Sequence, residues 1–264
     1  MIALVEDSSA LIGRQMRHIA RVPESLLGVT LLPIAIVLIF GYMLGSVVKP
    51  GSSPYDYREY IMAGIFIQVM VSGMVTTATG FSDDLKNGLV DRFRSLPMSR
   101  ASVLIGRTVS DLVLAAISCV VVAVVGYLIG WRAHEGVART AAGFGLLLLL
   151  GFVMSWLGAL IAMAARSAEA VSGLSFLVMP IAFLSNAFVP LDNLPHWLRV
   201  VAEWNPVSTV ALACRRLFGN PGADATSGAY PAQHPVPAAL VILLGLLAIL
   251  VPLAVRSYRR AVAR

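Results

Sequence analysis

Six stretches of this 264-residue chain carry no charged residue, and each is long enough to cross a lipid bilayer as a helix. They run over 25–48, 60–82, 112–131, 140–165, 170–191 and 235–255, with lengths of 24, 23, 20, 26, 22 and 21 residues. A helix rises about 1.5 Å per residue, so about 20 apolar residues cross a hydrocarbon core of about 30 Å. Membrane-spanning strands need only about 9–11 residues and alternate in polarity, which none of these stretches does. The expected fold is therefore an all-α polytopic membrane protein of six spans, a single transmembrane domain over 1–264. Composition agrees: 13% of residues are charged and 58% apolar, whereas a soluble domain carries about 25% charged residues to coat its surface. High hydrophobicity also excludes intrinsic disorder. The first stretch follows 24 other residues and is long enough to span, so a cleavable signal peptide is not expected.

Basic residues near span ends set orientation. With both termini in the cytoplasm, the inner pieces 1–24, 83–111, 166–169 and 256–264 hold 3, 5, 1 and 4 of the 20 basic residues. The outer pieces 49–59, 132–139 and 192–234 hold 2, 2 and 3. Eighteen of the 20 are Arg, as in proteins of GC-rich bacteria, and the cytoplasmic membrane of a bacterium is the expected location. Because these residues are spread over several membrane-edge segments, they read as topology signals and not as a nucleic-acid surface, despite a pI near 9.7. Cys119 and Cys214 read as small buried hydrophobes, and no Cys/His spacing suggests a metal site.

Three segments outside the spans have a pattern of their own. In 1–24, Leu11, Ile12, Met16, Ile19 and Val22 fall on one side of a helix and Arg14, Arg17 and Arg21 on the other. That separation predicts a helix lying in the headgroup plane, with the arginines toward phosphate. In 83–100, Ser82 can cap a helix whose first turn carries Asp83 and Asp84. Leu85, Leu89, Phe93 and Leu96 form its apolar stripe and Pro97 stops it. The stripe needs a cover, either lipid or a soluble partner. Between spans five and six, 192–218 predicts two short outer helices, one opened by Pro195 and one over Pro206–Phe218 after the Asn205-Pro206 break, both able to sit at the interface or re-enter part way.

Within the six stretches no Asp, Glu, Lys, Arg or His occurs. Proton- or ion-coupled carriers keep such groups at membrane depth, so a proton antiporter, a pump and an intramembrane protease are disfavoured. Polar residues are ordered nonetheless. Gln68, Ser72, Thr76 and Thr79 share one sector of span two, and Ser172, Ser175, Met179 and Asn186 share one sector of span five. These stripes either line a path for amphipathic molecules or pack helices, where small polar residues are common. No GxxxxGK[ST] phosphate-binding loop is present, and neither inner loop has room for a nucleotide-binding domain, so any ATP must be hydrolysed on another chain. A scaffold anchoring a cytoplasmic enzyme remains the alternative of a different class.

Two motifs carry a resemblance. DLKNGLVDRFRSLPMSR, from Asp84 to Arg100, is similar to the acidic–Gly–Leu–Pro–Ser–Arg signature of the coupling helix in type-2 ABC exporter permeases. NAFVPLDNLPHWL, from Asn186 to Leu198, followed by Asn205-Pro206, is similar to that family's FVP…LP-x-W…NP signature around its outer re-entrant helices. The chain resembles the daunorubicin/doxorubicin-resistance permease group over its whole length. The resemblance implies six helices per subunit, a second permease copy or paralogue, and two ATPase subunits that carry ATP and Mg while this chain binds no cofactor and catalyses nothing. It implies that Asp84, Leu85, Gly88, Leu89, Arg92, Phe93, Leu96 and Pro97 couple to the ATPase. It also implies export of an amphipathic drug-like molecule or a lipid, with an envelope lipid or glycolipid as the alternative cargo.

Overall fold

A computed structural model describes residues 31, 34–39, 57–86, 100–165, 168–176, 180, 184–187, 195–222 and 229–262. All regular structure among them is helical: α1 (Tyr57–Lys86), α2 (Arg100–Leu128), α3 (Gly136–Ala164), α4 (Ala168–Phe176), α5 (His196–Glu203), α6 (Pro206–Phe218), α7 (Tyr230–Gln233) and α8 (Pro235–Val262). Four of these contain segments long and apolar enough to cross a membrane, Tyr57–Asp84, Ile105–Leu128, Gly136–Ala164 and Pro235–Tyr258.

Helix α3 lies at the centre, packed on α1, α2, α6 and α8. It is apolar on every side, as a helix surrounded by others must be. Its approach to α1 is close enough that a Cβ on Gly158 would overlap the Met74 carbonyl oxygen, so only glycine fits there. Helix α8 buries Ala239, Leu243, Leu250, Ala254 and Tyr258, one helical stripe, and exposes Val241, Leu244, Ile249 and Leu253 on its other faces. An aliphatic outer face is what lipid contact demands.

The short helix α6 is a packing element. Asn205 caps it, its Oδ1 accepting from the Val207 N–H at 2.9 Å, with Pro206 in the first turn. Gly219, at φ 69°, closes it in the left-handed conformation that a side chain resists. Nearly every residue between is buried, against α3, α8 and α1. Helix α5 is the opposite case, with Trp197, Val200, Val201 and Trp204 exposed and Arg199 paired to Glu203 at 3.1 Å, the make-up of a helix at a membrane–water interface.

Several expectations change. The helices overrun the charge-free stretches: α1 begins at Tyr57 and runs to Lys86, and α2 starts at Arg100. Charged residues therefore do lie in membrane-length helices, with Arg58, Glu59 and Asp84 on α1 and Arg107 and Asp111 on α2. Arg58, Glu59 and Asp84 sit near helix ends and Arg107 and Asp111 two to three turns in, and they are paired with one another, with His134 or with backbone, which is how charge is accommodated there. The 170–191 stretch is not one helix to its end: α4 is described over Ala168–Phe176, and 184–187 form a bend and turn whose backbone is held by Tyr60 of α1, Arg215 of α6 and the α6 cap Asn205. Of the 25–48 stretch, residues 34–38 are helical and most of the rest lies outside the described residues, as does the proposed interfacial helix with Arg14, Arg17 and Arg21.

Candidate coupling and pathway residues

Helices α1 and α2 flank the segment 87–99, and a polar cluster ties their ends together. Arg107 donates from Nη1 to Asp84 Oδ2 at 2.9 Å and from Nε to Asp111 Oδ2 at 3.3 Å. Thr77 donates its hydroxyl to the same Asp111 oxygen at 2.8 Å. The Arg107 side chain lies flat across Gly80, where a Cβ would collide with its guanidinium. Exposure grades across the group: side chains of Asp111, Arg107 and Asp84 are 11%, 15% and 37% accessible. Arg107, itself on α2, thus pairs within its helix to Asp111 and reaches across to α1 through Asp84, while Thr77 of α1 makes a second link to Asp111.

At the other end of the bundle, Arg215 of α6 is 1% exposed. Its Nε donates to the Tyr60 carbonyl at 3.2 Å, and its Nη2 to the carbonyls of Asn186 and Ala187 at 2.8 and 2.9 Å. The guanidinium also rests 3.8 Å from the centre of the Tyr60 ring. Burial lowers its pKa from the ordinary arginine value and the adjacent Tyr60 opposes that, but arginine starts high enough to remain a cation. The 184–187 turn is held from further directions. The Tyr60 hydroxyl donates to the Asn186 carbonyl at 3.1 Å, Asn205 Nδ2 to the Leu184 carbonyl at 2.8 Å, and the Asn186 N–H to Ser208 Oγ at 3.2 Å. The turn presses so tightly on α1 that a Cβ on Gly64 would overlap the Ala187 carbonyl oxygen. Non-helical backbone at such a place persists only when its carbonyls are satisfied. Beside it, Phe66, Trp131, Phe144 and Phe218 form an edge-to-face cluster, Trp131 Nε1 donates to Asn220 Oδ1 at 2.8 Å, and Glu59 meets His134 at 2.9 Å.

The residues expected to carry function fall as follows. Asp84 is in the Arg107 cluster, and Leu85 lies on α1 near its end. Gly88, Leu89, Arg92, Phe93, Leu96 and Pro97 lie outside the described residues. On α1, Gln68 and Ser72 are half-buried, Thr76 and Thr79 are exposed, and the Ser72 and Thr79 hydroxyls bond to carbonyls of their own helix. Their stripe therefore points away from the core that Met74 and Ala78 enter. On α4, Ser172 is exposed; the Ser175 side chain and Met179 lie outside what is described. Asn186 does not join the α1 stripe. It packs at Tyr60, about 12 Å of helix away from Gln68, and its side-chain Oδ1 is buried with no partner among the described residues.

Arg107, Asp111, Thr77 and Arg215 are the functional-site candidates that the sequence reading passed over. The Arg107–Asp111 spacing of four is the helical ion-pair spacing, and it was visible. Arg215 follows Ala211 and Leu212 by four and three and precedes Phe218 by three, an apolar helical face into which a cation intrudes.

The family model for ABC-2 type transporters matches residues 7–217. A daunorubicin resistance ABC transporter permease of Streptomyces coeruleorubidus is 30% identical over 247 residues, covering 93% of this chain and 83% of that protein. A probable doxorubicin resistance ABC transporter permease of Mycobacterium tuberculosis is 26% identical over 253 residues, covering 94% of this chain and 87% of that protein. A putative transport permease of Cyanophora paradoxa is 22% identical over 218 residues, covering 82% and 75%.

Proposed function

Because the chain belongs to the ABC-2 type transporter family, in the group of the daunorubicin and doxorubicin resistance permeases, we propose that it is the permease subunit of an ATP-driven exporter whose ATP is hydrolysed on a separate chain. The observation that carries this reading is the bracket made by Arg107. A segment of 13 residues, 87–99, joins two helices that are tied across by the Arg107–Asp84 ion pair and by the Thr77–Asp111 hydrogen bond. A push on that segment is then transmitted to α1 and α2 together, and through the tight Gly158 contact to α3, instead of dissipating at a loose hinge. In this reading Leu85, Leu89, Arg92 and Phe93 contact the ATPase, and the Asp84 end of the bundle is cytoplasmic, as are both termini. Two permease copies and two ATPase subunits form the exporter, with ATP and Mg on the latter.

Cargo is proposed to be an amphipathic, drug-like molecule, in keeping with the resistance functions for which the relatives are named. The exposed Thr76 and Thr79, with Ser72 and Gln68 behind them, suit one wall of a path completed by a second copy, since mild polarity without charge passes amphipathic solutes without trapping them. The test is to co-express the chain with its cognate ATPase, replace Leu89 and Phe93 with Asp, and measure co-purification together with cellular accumulation of a fluorescent anthracycline. Loss of the ATPase and a rise of accumulation to the level of a deletion strain are expected. Undiminished pairing and efflux overturn the coupling assignment.

A further inference from the structure

Helices α2 and α3 leave between them a groove of about 390 Å³. Val120, Ala123, Val124, Tyr127, Leu128 and Phe144 are among the residues that line it, and none carries a charge. From Val120 to Leu128 it follows about 12 Å of helix, close to the depth of one leaflet's hydrocarbon. Its capacity suits a chain: a 150 Å³ apolar cavity takes up six-carbon benzene, and by that ratio this volume takes about 16 carbons. Aliphatic side chains facing lipid are ordinary in a membrane protein. A concave lane of leaflet length, closed at one end by a fixed cation, is not.

The cation is Arg132. It is exposed just beyond the groove's Trp131 end, and its guanidinium lies 3.7 Å from the centre of the Tyr127 ring. Both Nη1 protons are committed, to the Tyr127 carbonyl at 2.6 Å and the Trp131 carbonyl at 2.8 Å. What remains is the Nε and Nη2 edge, with no partner among the described residues. That edge presents two parallel N–H donors, the geometry that grips a phosphate bidentately. Tyr127 thus does two things, lining the groove with its ring and seating the cation at its mouth. The exposed ring of Tyr127 marks the level where hydrocarbon gives way to headgroups.

We propose that this groove holds one acyl chain of a bilayer phospholipid, with the lipid phosphate bound by the free edge of Arg132. Occupancy does not depend on transport or on the ATPase, so the site is separate from the path assigned above. It is a fixed annular-lipid site that favours an anionic headgroup, because Arg132 contributes a full positive charge where a zwitterionic lipid offers its own ammonium in competition.

The experiment uses the purified, delipidated full chain in non-ionic detergent, titrated with dipalmitoyl phosphatidylglycerol or dipalmitoyl phosphatidylcholine, with retained lipid counted by native mass spectrometry. The chain is expected to retain one phosphatidylglycerol in preference to phosphatidylcholine. Arg132→Gln is expected to lower phosphatidylglycerol retention about tenfold, in line with loss of a charge-assisted pair, and to abolish the headgroup preference. Ala123→Trp, which fills the groove, is expected to lower retention of both lipids. A phosphatidylglycerol with a photoreactive group midway along its chain is expected to label the peptide containing Val120 and Val124; this arm needs no variant and stands even if Ala123→Trp fails to fold. Equal retention by all three proteins, or labelling only elsewhere, overturns the proposal. So does an Ala123→Trp variant that loses self-association while keeping its lipid, since a second copy would then own the groove.

Discussion

Arg107→Gln removes the cation from the α1–α2 bracket while nearly conserving its shape, and the geometry fixes how the cost divides. At 3.3 Å from Asp111, in surroundings with an effective dielectric near 20, the gross attraction is about 5 kcal/mol. The 2.9 Å contact to Asp84, whose side chain is 37% accessible, is nearer the aqueous limit, about 1.4 kcal/mol gross. Desolvation offsets much of both, so the informative quantity is what an orphaned partner costs. Leaving Asp111 buried with only the Thr77 hydroxyl costs about 3 kcal/mol, at the lower end for a broken buried pair. Asp84→Asn, which leaves the Arg107–Asp111 pair in place, costs under about 1 kcal/mol. Asp111→Asn added to Arg107→Gln restores a neutral pair, and the double variant is expected to be more stable than Arg107→Gln alone, with a coupling of about 1–3 kcal/mol. The assay is unfolding of the purified protein in mixed micelles as sodium dodecyl sulfate is raised, run on the full double-mutant cycle. Equal losses for Asp84→Asn and Arg107→Gln, or no relief from the second substitution, refute the reading that Asp111 is the main partner of Arg107.

Three further outcomes follow from the packing. Gly158→Leu forces α3 away from the Met74 backbone, and overpacking of this kind costs about 1–3 kcal/mol or more; a lower melting temperature in detergent, with Gly145→Leu as the tolerated control because nothing lies within 4 Å of its Cβ position, is expected. Arg215→Met strips the buried Ala187 carbonyl of its donor and leaves the Asn186 carbonyl only the Tyr60 hydroxyl, at about 1–3 kcal/mol for the orphaned carbonyl, and should expose the 184–187 turn to limited proteolysis; Arg215→Lys, retaining charge and three donors, should lose less. Asn205→Ala removes both the cap on α6 and the bond to the Leu184 carbonyl, for about 2 kcal/mol in the same melting measurement.

Helix existence was legible because each long apolar stretch leaves the chain little choice in lipid: the reading of Pro206–Phe218 matched α6 to the residue, since Asn205-Pro206 and Gly219 punctuate it unambiguously. Helix ends near the membrane surface were less so. Charge-free runs locate the hydrocarbon-crossing part of a helix, whereas the helix continues as long as backbone hydrogen bonding is favourable, which carried α1 to Lys86 and began α2 at Arg100. That overrun hid the Arg107 cluster, because a helix start placed at Ser82 separates Asp84 from span two, and no local spacing announces a contact from Asp84 to Arg107 across 23 positions. Arg215 was hidden by its neighbourhood, a count of three basic residues over 192–234 being no guide to which cation is buried. The partners that reveal it, Tyr60 and the 184–187 turn, lie 155 and about 30 positions away, and no local pattern announces a contact of that separation.

The central claim is that this chain moves its cargo with energy supplied from outside itself. Proteoliposomes that contain the chain alone, the chain with its ATPase, or the chain with an ATPase unable to hydrolyse ATP test it most directly, with uptake of a fluorescent anthracycline into inside-out vesicles as the readout. Accumulation is expected only with both intact proteins and ATP, and should be indifferent to an imposed proton or sodium gradient. Accumulation by the chain alone, driven by either gradient, contradicts the account.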